Sequence, residues 1–215
     1  MPRTLHGYFR SSAAYRVRIA LNLKRLDCEL VSVHLRKGEQ RGEAFLALNP
    51  QAMVPALVDD GAVLTQSPAI LEYLDEAYPD TPRLLPDAPA DRARVRALAA
   101  AVACDIHPLN NLRVLQYIQG PLGCPKEAMI AWYNHWIAEG FAAIERMLAG
   151  DPRTGRFCHG DAPGLADVCL VPQVFNSARH DLDLAPYPTI RRIADACGEL
   201  EAFRAAHPSR QPDAE

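Results

Sequence analysis

TLHGYFRSSAAYRVRIALNLKRLDCELVSVHL, residues 4–35, changes its hydrophobic period twice. Thr4 to Phe9 reads as a strand. From Ser12 to Lys24 the residues Val17, Ala20, Leu21 and Lys24 recur at helical spacing, and from Glu29 to Leu35 the residues Val31, Val33 and Leu35 fall on one face of a second strand. Strand, helix and strand make a βαβ unit. Downstream, Glu43 to Leu48 reads as a short helix ahead of the loop NPQAMVP at 49–55. Ala56 to Val58 and Val63 to Thr65 flank the turn signal DDG, and Pro68 opens the helix PAILEYLDEAY at the first-turn position where proline is tolerated.

The resulting order, βαβαββα, is that of an α/β thioredoxin-like domain in its glutathione-binding variant. After it, YPDTPRLLPDAPADR at 78–92 carries Pro79, Pro82, Pro86 and Pro89, which keep the chain extended. The pattern therefore divides into residues 1–82, a linker at 83–89, and an all-helical part at 90–215. DRARVRALAAAVACDI is a strong helix former that Pro108 ends or kinks just after His107, and a helix follows at about 110–118. In KEAMIAWYNHWIAEGFAAIERMLAG, Met129, Trp132, Trp136, Phe141, Ile144 and Leu148 lie near one face, so its aromatics are assigned to the core. In GLADVCLVPQVFNSARH, Gly164 is the cap and Asp167 sits at N3, where its carboxylate can accept the cap's amide. The stretch PSRQPDAE from Pro208 is expected to be poorly ordered.

Composition narrows the function. A formal net charge of -3 lacks the basic footprint of a nucleic-acid binder. No apolar run is long enough to span a bilayer, and the first ten residues lack the apolar core of a secretion signal, so the expectation is a cytoplasmic protein with no membrane partner. Six scattered cysteines with no C-x-x-C pair read as reduced. Cys104 and His107 form half of a zinc-type pattern with no second pair, so no metal is expected.

Three short segments could carry chemistry. Ser11 and Ser12 stand at a helix start, where unpaired amides and the positive end of the helix dipole favour an anion; taken alone, one serine is explained by capping. The extended Val54-Pro55 can present Val54 backbone groups to a peptide-like ligand. Gln66 and Ser67 open another helix, where free amides can bind a carboxylate. Arg16, Arg18 and Lys24 spread around their helix and read as solvated or structurally paired.

Together, YFRSSAAYRVRIALNLK, NPQAMVPAL, LTQSPAILEYL, CDIHPLNNLRVLQYI and LADVCLVPQVFNSARHDLDLAPYPTI resemble the zeta class of glutathione transferases over nearly the whole chain. The resemblance implies glutathione as cofactor and a cis–trans isomerisation of maleylacetoacetate, in aromatic amino-acid catabolism, by reversible thiolate addition. It implies that Ser11, with Ser12 beside it, stabilises the thiolate, that Val54 pairs with the glutathione backbone across a cis Val54-Pro55 peptide, and that Gln66 and Ser67 hold the γ-glutamyl end. The dicarboxylate substrate demands cations and donors, for which Arg10, Arg179, His107 and Asn111 are the candidates, His107 and Asn111 serving cofactor or substrate; Asp105 could reach a partner subunit's glutathione. A homodimer, with each active site between the two domains of a subunit, is implied as well. One departure stands out: Ala13 replaces the cysteine common after the serine pair, so the sulfur nucleophile must come from the cofactor. Maleylpyruvate is the alternative substrate, disfavoured by Leu112 where pyruvate-type relatives tend to carry arginine. A general detoxifying transferase and a non-catalytic interaction protein of the same fold are the remaining alternatives.

Overall fold

In the computed structural model, residues 3–215 are described, and they form two compact units: one of residues up to Leu85 together with Gly198–Glu215, the other of Pro86–Cys197.

The first unit is built on a four-stranded sheet of β1 (Thr4–Gly7), β2 (Glu29–Ser32), β3 (Ala56–Asp59) and β4 (Ala62–Thr65), in the order β2-β1-β3-β4. β1 pairs in parallel with β2 and antiparallel with β3, which forms a hairpin with β4. Asp60 and Gly61 both adopt positive φ, as a two-residue hairpin of the twist-matched type requires, and the Asp-Gly pair is the sequence that tolerates it. Helices α1 (Ser12–Leu23), α2 (Glu43–Leu48) and α3 (Ser67–Ala77) complete the expected order. β1 and β2 end sooner than their apolar patterns suggest; Tyr8, Phe9 and Val33, just past the strand ends, pack in a core with Phe45, Val54 and Ala56.

Of the two readings of Arg16, Arg18 and Lys24, solvated or structurally paired, the structure takes the second, and one other reading of this unit is corrected. Arg16, Arg18 and Lys24 are buried, Lys24 completely. The Lys24 ammonium lies 3.3 Å from the Asp75 carboxylate and 3.1 Å from the Pro82 carbonyl, and Asp75 also accepts the Leu84 amide at 2.7 Å. Residues 208–215 are ordered: after α9 (Glu201–Ala206), Gln211 is buried and its amide donates to the carbonyls of Ala205 and His207 at 2.9 Å. α9 packs against α1, so residues 198–215 belong to the first unit, where the sequence division had assigned everything past residue 90 to the helical part. The physical reason is α1 itself, which packs against α3 as well as α9 and so has no broad solvent face for its charges.

The second unit is helical. α4 (Pro89–Ala100) widens into π-type turns over Ala101–Ile106 and ends in a 3-10 turn at His107–Asn110 around Pro108. α5 (Leu112–Gln119), α6 (Lys126–Ala149), α7 (Leu165–Ser177) and α8 (Pro188–Gly198) follow. On α6 the core face is Met129, Tyr133, Ile137, Phe141, Ile144 and Leu148; Trp132 is exposed and Trp136 half-buried, which corrects the assignment of both tryptophans to the core. Gly140 is required for close approach, since a Cβ there would stand 2.3 Å from Ile106 at the end of the π-type turns. At the start of α7, Asp167 is buried as expected of its capping role, accepting the amides of Gly164 and Cys158 at 2.8 Å each. Burial raises its carboxyl pKa, and the two amide bonds oppose the rise.

Among the described residues, no helix is long and apolar enough to cross a membrane, and no group of three or more His, Cys, Asp or Glu side chains is placed to hold a metal ion.

Candidate functional site

Sheet register brings the candidates of the first unit to one end. β1 runs toward Gly7 and leads into the Tyr8–Ser11 turn. β3 is antiparallel to it, with Ala56 opposite His6, so Val54 and Pro55 arrive at that same end. β4 leaves there too, with Thr65 opposite Ala56, and hands the chain to Gln66 and Ser67. Val54 packs in one cluster with Tyr8 and Phe9, which places it beside the turn that carries Ser11.

Ser11 is the N-cap of α1: its backbone is extended and its hydroxyl oxygen accepts the Ala14 amide at 3.2 Å. The hydroxyl proton is not used in that bond and remains available for an acceptor. The Ala13 amide, in the same first turn, has no acceptor among the described residues. Ser12 is buried. Arg10, half-buried just ahead of the cap, makes no hydrogen bond or ion pair among the described residues.

The Val54-Pro55 peptide is cis. Neither the amide nor the carbonyl of Val54 is bonded to another described residue, so one donor and one acceptor lie next to the sheet end. The loop ahead of them is tied by Asn49, which sequence reasoning missed: its side chain donates to the Met53 carbonyl at 2.6 Å and accepts the Gln51 amide at 3.0 Å. The signal was an Asn before Pro in NPQAMVP, a turn-forming pair.

At the start of α3, Gln66 holds φ +66° and offers no side-chain cap. Its amide instead donates to Gln51 at 2.7 Å, joining the α3 start to the loop before Val54. Ser67 is buried, and its hydroxyl accepts from the Arg16 guanidinium at 3.2 Å. Arg16 thereby links α1 to the start of α3, a role that helical spacing alone did not indicate. Because Pro68 has no N–H, the amides of Ser67 and Ala69 are the donors left in this turn, and neither has a protein acceptor among the described residues.

The sheet end thus offers backbone pairing for an extended peptide-like molecule, a carboxylate site at a helix start, and a hydroxyl with amides for a second anion. Three of the protein's own thiols are poor sources of that anion. Burial pushes the Cys28 thiol up to about 11 and raises those of Cys158 and Cys197 further, which keeps all three protonated at neutral pH.

In the second unit the candidates stand on turns. His107 begins the 3-10 turn after α4, and Asn111 is the N-cap of α5, its side-chain oxygen accepting the Arg113 amide at 3.1 Å. Arg179 is exposed in the turn after α7. Both turns hang on α6: the Trp132 indole donates to the Leu109 carbonyl at 2.7 Å, and the Asn134 amide donates to the His180 carbonyl at 2.9 Å. His180 also stacks edge-on against Tyr133, and burial followed by the nearby Arg179 charge lowers its pKa. The two turns therefore share anchors two residues apart on one stretch of α6.

Residues 5–82 match the family model of the glutathione S-transferase N-terminal domain. The chain is 50% identical over 212 residues to the maleylacetoacetate isomerase of Pseudomonas aeruginosa, covering 97% of each. A solved holo structure of maleyl pyruvate isomerase, described as a bacterial glutathione S-transferase in the zeta class, is 54% identical and superposes with a TM-score of 0.95 over 99% of this chain and 100% of that one. The maleylacetoacetate isomerase of Methylobacterium extorquens AM1, solved with malonate and GSH bound, is 45% identical with a TM-score of 0.95 over 99% of each chain.

Proposed function

The chain belongs to the zeta class of the glutathione S-transferase family, and from that membership we propose that it is a glutathione-dependent cis–trans isomerase whose substrate is maleylacetoacetate. The observation that carries the reading is the convergence of three features on one sheet end: the Ser11 cap of α1, the unpaired backbone groups of Val54, and the uncapped start of α3.

The donor set fits glutathione, a peptide with a free α-carboxylate and a thiol. Val54 pairs with its backbone, with Pro55 fixing the approach, while Gln66, Ser67 and the open amides of α3 hold the γ-glutamyl end. Bound glutathione supplies a sulfur nucleophile that adds to and leaves a conjugated alkene carbon, which lets the double bond turn from cis to trans. Around it, the residues have separate tasks. The Ser11 hydroxyl donates toward the sulfur, and the α1 amides beside it favour the ionised form, since a free thiol with a pKa near 8.5 is only a few per cent ionised at neutral pH. Ser12 keeps the second hydroxyl of the motif at the same helix start. Arg10 and Arg179 each offer a guanidinium to a substrate carboxylate. His107 and Asn111 add donors on the turn between α4 and α5.

Maleylpyruvate is the second reading, favoured by the 54% identity to the maleyl pyruvate isomerase structure. Leu112, at the start of α5, supports the first. The same family membership supports a homodimer, a cytoplasmic setting and a place in aromatic amino-acid catabolism.

The test is a purified-protein assay that follows loss of maleylacetoacetate and of maleylpyruvate with and without glutathione. Isomerisation is expected only with glutathione and faster on maleylacetoacetate. Turnover without glutathione sinks the mechanism, and a conjugate that accumulates without isomer favours a general transferase. Arg179→Ala is expected to raise the substrate KM by about tenfold, the weight of a charge-assisted hydrogen bond, and to leave the glutathione KM little changed. Equal effects on both remove its carboxylate role.

A further inference from the structure

Phe9 is buried at 6% exposure, yet it lies past the end of β1. Its amide and carbonyl have left the ladder, and a buried backbone group without a partner is costly. Both find partners far off in sequence or on the far side of the turn. The amide donates to the Asp213 carboxylate at 3.0 Å, and the same oxygen accepts the Ser32 hydroxyl at 2.9 Å. The carbonyl accepts from the Arg18 guanidinium at 2.9 Å. Arg18 also donates to the Ala206 carbonyl at 3.1 Å and to the Tyr8 carbonyl at 3.5 Å. That Tyr8 carbonyl accepts the Ser11 amide at 3.0 Å.

We infer that Asp213 and Arg18 are positioning residues for Ser11: they grip the two sides of Phe9 and so set the direction of the Tyr8–Ser11 turn that carries the serine. The inference rests on the thiolate role proposed for Ser11. The parts are suited to it. Arg18 is buried and its guanidinium, brought down to about 10 by burial and supported by the Asp213 charge, stays protonated at neutral pH with its fork filled by carbonyls. Asp213 is held by the Gln211 anchor two residues earlier, whose amide bonds two carbonyls at the end of α9. The segment 211–213 therefore reaches the back of the turn, and the helix start where Ser11 acts lies two residues beyond the grip. Displacing a reacting group by a fraction of an ångström is enough to slow a reaction without weakening substrate binding.

The experiment compares Asp213→Ala and Asp213→Asn with the wild type in three measurements. These are amide hydrogen exchange at Phe9 to Ser12 in the protein alone, the pH titration of the thiolate absorbance of added glutathione bound to the protein, and kcat and KM for maleylacetoacetate. Asp213→Ala is expected to speed exchange at Phe9, to move the bound-thiol titration to higher pH, and to lower kcat by about tenfold with substrate KM within about twofold. Asp213→Asn is expected to recover most of the loss, because an amide oxygen can accept both bonds. A role in stability alone predicts a lower Tm with the thiol titration unmoved, and that result overturns the inference, as does an Asn variant as impaired as Ala. If Asp213→Ala does not fold, Arg18→Lys, which keeps the charge and loses the fork, is expected to shift the thiol titration in the same direction; an unshifted titration overturns the inference. Absence of any bound thiolate in the wild type overturns the parent reading and this one with it, whereas a wild-type thiolate that Asp213→Ala leaves untouched overturns this one alone.

Discussion

The starts of α1 and α3 meet the same sheet end, yet they are finished differently. α1 is capped by its own Ser11, which satisfies the Ala14 amide and leaves a hydroxyl proton to give. α3 has no side-chain cap: Gln66 points its amide away to Gln51 and holds a positive φ, and the Ser67 hydroxyl accepts from Arg16 while keeping its own proton. A capped helix start keeps little room for a bulky anion and suits a single polarisable atom at the hydroxyl. An uncapped one keeps its amides for a carboxylate. The difference assigns reactivity to the first and anchoring to the second.

Substitutions at three positions test that division, in order of expected effect. Ser11→Ala is expected to lower kcat for the isomerisation by about 10²-fold, the scale of losing one donor at a developing or stabilised anion. Ser11→Asn separates the two functions of the serine, since asparagine caps a helix as well: thermal melting is expected to match the wild type while kcat still falls. An unchanged rate and bound-thiol pKa in Ser11→Ala would shift the role to Ser12 or to the backbone amides. Ser67→Ala comes next, with the KM for glutathione raised about tenfold and kcat affected less, as for a lost hydrogen bond to a charged group; a kcat loss with unaltered glutathione KM would reverse the assignment. Gln66→Gly has the smallest effect on the fold. It relieves a positive φ that costs a non-glycine residue about 1 kcal/mol or more, so stability is expected to hold or rise slightly while glutathione affinity drops about threefold. A clearly destabilised Gln66→Gly protein would remove the strain account.

What was legible in the chain was local chemistry. The Asp-Gly hairpin, the Pro68 helix start and the Asp167 carboxylate at N3 each follow from a residue type at a fixed offset, and the structure has all three. Whether Arg16, Arg18 and Lys24 are solvated or structurally paired was not legible, because the two cases are told apart only when the partner is known. Here the partners are Ser67, Ala206 and Asp75, reached across 51 and 188 positions of sequence. The α6 face was misjudged for a related reason. Trp132 was counted with the apolar residues, yet its indole N–H is committed to the Leu109 carbonyl, and the core position beside it belongs to Tyr133. For the candidate site, the motif residues were visible in the sequence and Asn49 had a turn signal that went unread, whereas the roles of Gln51 and Arg16 in holding them were visible only once the loop and helices were in place.

The packing of α9 on α1 bears on how the molecule is made. A ribosome releases the sheet and the first three helices early, but the Arg18 guanidinium has no Ala206 carbonyl and Phe9 no Asp213 carboxylate until the last part of the chain emerges. Domains elsewhere commonly fold in order of synthesis. This one is discontinuous, so its opening segment waits through the synthesis of the whole second unit with a buried-type cation and an unpaired backbone exposed, and a break in translation after Cys197 leaves it unfinished. Completion of the first unit therefore depends on residues synthesised after the second.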